Sequence, residues 1–118
     1  MPDHIHLLIE LGSPLTVSQV VGKLKSAIVR AHSEVTWQEN FFEHQLRPDD
    51  LIENYAVYIF MNPYGAGICD LEKTWPGWIG PRKMHWGFED NLRAGGLPQP
   101  EWLEQANKFG ATLPRSAD

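Results

Sequence analysis

From Thr16 onward the apolar residues Val17, Val20, Val21, Leu24, Ala27, Ile28 and Ala31 recur every three or four positions. That spacing keeps them on one face of a helix, so residues 15–33 are expected to form an amphipathic helix with Lys23, Lys25 and Arg30 on its polar side. The segment before it has another pattern. His4 to Leu11 is apolar and β-compatible, preceded by the turn residues Pro2-Asp3 and stopped by Gly12-Ser13-Pro14, and it reads as a strand. Val35 to Arg47 contains Trp37, Phe41, Phe42 and Leu46 and suits a short strand near 41–46 after a loop. Pro48-Asp49-Asp50 then opens a second helix, expected from Asp49 to Met61 and ended by Asn62-Pro63, because a residue before proline is pushed out of helical conformation. Beyond Ile68 the periodicity fades. Residues 74–100 are rich in Trp, Gly and Pro, with Trp75, Trp78 and Trp86 expected to pin an irregular segment to the core, and Glu101 to Phe109 suits one short helix.

Composition narrows the class. A chain of 118 residues, 42% hydrophobic and 21% charged, has the balance of one ordinary globular domain with a modest core. A single cysteine, Cys69, excludes an internal disulfide and a cysteine-based zinc site, and its residue type suits a small buried hydrophobe. No membrane span or signal peptide is legible, so a soluble, cytoplasmic protein with no membrane partner is expected. The net charge of −5 argues against a broad electrostatic grip on nucleic acid. Its distribution softens that objection, because residues 48–72 carry five acidic and no basic groups, whereas residues 73–118 carry six basic and five acidic. Lys23, Lys25 and Arg30 form a local basic stripe, which fits either a phosphate contact or a solvated helix face.

Two constellations could carry chemistry. On a strand, His4 and His6 would point the same way with Ile5 turned into the core, which makes either a two-ligand metal site or two surface histidines. On the second helix Tyr55, Tyr58 and Asn62 fall at i, i+3 and i+7 and share a face. A phenol oxygen one turn from Asn62 could sit over a metal that the amide carbonyl helps to bind. The same spacing equally suits two core tyrosines and a helix-ending asparagine.

Three ordered segments resemble a known family. Met1-Pro2-Asp3-His4-Ile5-His6-Leu7-Leu8-Ile9 resembles the histidine–hydrophobe–histidine segment of single-tyrosine HUH transposases, in particular the REP-associated tyrosine transposases and their insertion-sequence relatives. Trp37-Gln38-Glu39-Asn40-Phe41-Phe42-Glu43-His44-Gln45-Leu46-Arg47 is similar to their tryptophan-to-arginine segment, and Tyr58-Ile59-Phe60-Met61-Asn62-Pro63-Tyr64-Gly65-Ala66-Gly67-Ile68 to their tyrosine helix with its Asn-Pro ending. The chain departs from the pattern at Gly65, where the family commonly has a basic residue.

The resemblance implies an α+β fold: the C-terminal half of a ferredoxin-like (HUH endonuclease) antiparallel sheet with packed helices, lacking the N-terminal strand-helix-strand. Residues 1–73 would be this truncated catalytic domain, and residues 74–118 an irregular Trp/Gly/Pro-rich extension packed on it. Two short strands without the intervening one must pair directly or borrow partners from a second copy, so a homodimer by strand exchange is one expectation. The implied activity is cleavage and joining of single-stranded, hairpin-forming DNA through a 5′-phosphotyrosine link. Tyr58 would be the nucleophile, and His4, His6 and Asn62 the ligands of Mg2+ or Mn2+. Manganese suits the imidazole pair at least as well as magnesium, and the adjacent ion would help the tyrosine lose its proton. DNA contacts would fall to Lys23, Lys25, Arg30, His44 and Arg47, with Tyr55 left as core and His32 and His85 without a role. The alternative is an inactive transposase remnant that binds hairpins without chemistry or has no DNA function.

Overall fold

The computed structural model describes residues 4–10, 15–37, 46, 51–81 and 85–113. The chain divides into two compact units. One comprises Met1–Leu8 with His44–Arg115, the other Ile9–Glu43 with Ser116–Asp118.

The smaller unit is built on α1, Val17–Ala31. Its start is set by a capping box: the Gln19 amide donates to Thr16 Oγ1 at 3.2 Å, and the Thr16 amide donates to Gln19 Oε1 at 2.9 Å. Arg30 lies in the last turn, where a cation favours the carbonyl end of the helix dipole. The helix lies within the span expected from periodicity, but none of its residues is buried.

The larger unit is organised by α2, Ile52–Gly65, and α3, Trp102–Thr112. The two run antiparallel, since Gly65 near the end of α2 lies against Leu103 and Asn107 while Tyr55 and Tyr58 near its start lie against Phe109 and Gly110. Small residues permit the approach, with Ala56 of α2 and Ala106 of α3 both buried. A core of Phe60, Met61, Tyr64 and Phe88 extends it. Rings meet there largely edge to face, Phe60 with Trp78 at 5.2 Å and Phe88 with Trp102 at 5.9 Å between centroids. A 3-10 turn, Gly87–Asn91, contributes Phe88. Partly buried Trp75, Trp78 and Trp86 pack on this core.

Arg93 fastens the irregular segment. Its guanidinium donates to Glu72 at 2.9 and 3.0 Å, to the Leu71 carbonyl at 2.7 Å and to the Pro98 carbonyl at 2.7 Å. Tyr64 adds a second tie, its hydroxyl donating to the Lys73 carbonyl at 2.9 Å.

Three expectations are corrected. The ferredoxin-like antiparallel sheet is not found: the described residues hold no strand, only an isolated bridge between Arg93 and Leu97. Residues 4–10 are described but form no strand, and the second expected strand, 41–46, lies outside the described residues except for Leu46. A lone β-compatible segment has no ladder to join, and helix-to-helix and aromatic packing supplies the core instead. The second correction concerns Ile5, which is 49% exposed, as are Leu7 and Ile9 to similar degrees, while Leu8 packs on the core. The third is the end of α2, which continues past Pro63 to Gly65. Proline removes one amide donor, yet Ala66 N–H still bonds the Asn62 carbonyl at 3.0 Å, and buried Pro63 packs as part of the helix. Closure comes at Gly67, whose φ of +73° suits glycine, with Ile68 and Cys69 amides both donating to the Pro63 carbonyl.

Candidate active site

The site lies wholly within the larger unit, where residues 4–6 meet α2. His4 and His6 stand together, ring centroids 4.9 Å apart and edge to face. Asn62, half-buried in α2, hydrogen-bonds the His6 side chain. The bond favours the protonated ring and so raises the His6 pKa. Desolvation nevertheless lowers His6 below the ordinary histidine range, and the adjacent His4 lowers it further. A neutral imidazole with a free lone pair is the form that can bind a metal.

Tyr58 stands one turn before Asn62 on α2, its ring centroid 6.2 Å from that of His6 and edge to face. A small cleft of about 90 Å3 is lined by His4, His6, Phe60, Asn62, Trp75 and Trp78.

Two imidazoles and an amide are donor types that a divalent cation takes. Two imidazoles sharing one ion have ring centres roughly 4.5–5.5 Å apart, given metal–nitrogen bonds of about 2.1 Å, and the observed separation falls in that range. Asn62 is within hydrogen-bonding reach of the His6 side chain. No cluster of three His, Cys, Asp or Glu side chains capable of holding a metal occurs among the described residues, so any metal here needs the amide as its third protein donor.

The remaining candidates are placed as follows. In the smaller unit, Lys23 and Arg30 line a shallow concavity of α1 with Gln19 and Ser26, whereas Lys25 points elsewhere, its ammonium 6.0 Å from the centre of the Trp37 ring. His44 and Arg47 lie outside the described residues. Tyr55 packs its ring on Phe109 at 5.0 Å. Gly65 has a packing reason, since a Cβ there would come within 3.2 Å of Asn107 Oδ1. His85 is held between Glu89 at 2.8 Å and Asp90 at 2.7 Å. Sequence reasoning did not single out Phe109 or Gly110, which touch the Tyr58 ring; no motif covers them, and only an interhelical contact reveals them.

No helix of the described residues is long and apolar enough to cross a membrane. No family model matches the chain, and no solved structure matches it. A protein of Haemophilus influenzae, provisionally named a REP-associated tyrosine transposase, is 29% identical over 92 residues, covering 64% of this chain and 52% of that protein. The chain therefore spans about half the length of this curated relative. The likeness to the REP-associated tyrosine transposases, read first from three short segments, is thus shown by a curated relative aligned over most of the chain.

Proposed function

We propose that the chain is a metal-dependent single-stranded DNA transposase or endonuclease that cleaves and rejoins strands through Tyr58. One observation carries this reading: His4, His6, Tyr58 and Asn62, separated in sequence, converge in one unit. Where a divalent cation is bound, His4, His6 and Asn62 would be its protein ligands, and it would offset negative charge on the phosphate oxygens. Tyr58 Oη forms a bond to phosphorus while the bond from phosphorus to the 3′ oxygen breaks. The phenol loses its proton and the departing 3′ oxygen gains one, so charge balances. The product ester, a 5′-phosphotyrosine, is still a phosphodiester, and attack by a 3′ hydroxyl reverses the step and joins strands. Neutral His6, steadied by Asn62, keeps a ring nitrogen available beside the nucleophile. Phe60, Trp75 and Trp78 wall the cleft.

Incubation with a hairpin-bearing oligonucleotide and Mn2+ is expected to give a covalent protein–DNA adduct that Tyr58→Phe abolishes. Absence of any adduct from the wild-type chain overturns the enzymatic reading. A second reading, DNA binding without chemistry, draws on residues 4–10 forming no strand, which leaves the histidine pair without a β-ladder to fix it. Binding that weakens steeply with salt and leaves no adduct selects it.

A further inference from the structure

We propose that Phe109 and Gly110, on the last turn of α3, are the seat that orients the Tyr58 ring toward His6, an inference that rests on Tyr58 being the nucleophile. The Tyr58 ring has two ring partners. His6 lies at 6.2 Å between centroids. The Phe109 ring of α3 meets it at 6.0 Å with an interplanar angle of 64°.

Gly110 permits the closest approach of all. A Cβ at that position would sit 2.6 Å from Tyr58 Cε1, 3.3 Å from Cδ1 and 3.4 Å from Cζ, so the ring rests directly on the helix backbone. A larger residue there requires the ring or the helix to shift. This differs from Gly22 in α1, where an added Cβ would meet nothing within 4 Å.

The consequence is geometric. A tyrosine χ1 and χ2 leave the phenol oxygen free to sweep several ångströms on an exposed helix. Contact with Phe109, which Tyr55 also meets at 5.0 Å, and with the backbone at Gly110 narrows that sweep. Displacement of a reacting group by about 1 Å costs on the order of 100-fold in rate. Phe109 and Gly110 are therefore positioning residues, acting through Tyr58 and touching neither metal ligand nor DNA phosphate in the proposed reaction.

The test compares wild type with Gly110→Ala, Phe109→Ala and Phe109→Tyr, with Gly22→Ala as control. In the wild-type chain, NMR is expected to show contacts from the Tyr58 ring protons to Gly110 Hα and to the His6 ring, with Gly110 Hα shifted by the ring. Gly110→Ala gains helix propensity but crowds the Tyr58 ring, so a melting temperature at or a few degrees below that of wild type is expected. It should also keep Mn2+ and oligonucleotide affinity within about twofold, lose the Tyr58–His6 contact and slow adduct formation at saturating DNA by about 100-fold. If Gly110→Ala does not fold, the Phe109 pair decides: Phe109→Ala should slow adduct formation and Phe109→Tyr restore it. A wild-type chain lacking the Tyr58–Gly110 contact overturns the seat, as does Gly110→Ala retaining both the Tyr58–His6 contact and the wild-type rate. A wild-type chain that shows the contacts but yields no adduct removes the catalytic reading of Tyr58 and, with it, the catalytic meaning of the seat.

Discussion

Asn62 illustrates how far single residues could be read. Its spacing from Tyr58 placed both on one helical face, and the structure adds a hydrogen bond to His6 that no spacing rule contains. The histidine pair was legible as a pair, but its setting was not. The alternation of a strand sends Ile5 inward, whereas here Ile5 is exposed and Leu8 packs on the core. Arg93 was illegible, because its partners Glu72, Leu71 and Pro98 are scattered along a segment with no period. Its donors join charged and backbone acceptors at once, and its own side chain is mostly covered. Arg93→Ala is therefore expected to destabilise the larger unit by about 2 kcal/mol in urea unfolding. A change below a few tenths of that would show the ties to be replaceable by water.

Among the elements, α1 and α3 fell close to their expected spans because helical periodicity and capping are local properties. The end of α2 did not. Asn62-Pro63 signals a stop, but burial of Pro63 and the bond from Ala66 to Asn62 carry the helix one turn further, a tertiary effect overriding a local preference. That extra turn places Asn62 inside the helix, where it meets His6. The 3-10 turn Gly87–Asn91, anchored in the core by Phe88, also carries charge pairs with exposed His85. The hydrogen bond to Asp90 raises His85 above the ordinary histidine range, with further help from the charges of Asp90 and Glu89. A raised value in the folded state means that this contribution is complete below the unfolded histidine value and fades as pH rises through the folded one. The melting temperature of wild type relative to His85→Gln should therefore narrow between pH 6 and pH 8.5. A constant difference across that range would mean that the contacts are not ionic.

At the scale of the whole molecule, the sequence resemblance pointed to an antiparallel sheet, and the described residues contain none. Strand pairing is a relation between segments, and a β-compatible run such as His4 to Glu10 states only what it could pair with. The aromatic packing of the Trp-rich segment against α2 was foreshadowed by composition, but which rings meet was not. Charge acts at this scale too. With a net charge of −5, DNA contact would have to be local, and Lys23 and Arg30 form the one candidate patch of paired cations on α1 described above. If they meet phosphates, replacing both with alanine should reduce the slope of log affinity against log salt for single-stranded DNA by about 1.4. An unchanged slope would place the contact elsewhere.

The most direct measurement is mass mapping of the protein after reaction with a hairpin oligonucleotide and Mn2+. The account predicts an oligonucleotide phosphate attached to the peptide containing Tyr58, absent in Tyr58→Phe and in a His4→Ala/His6→Ala chain. Attachment at another residue, or none from wild type, would contradict it.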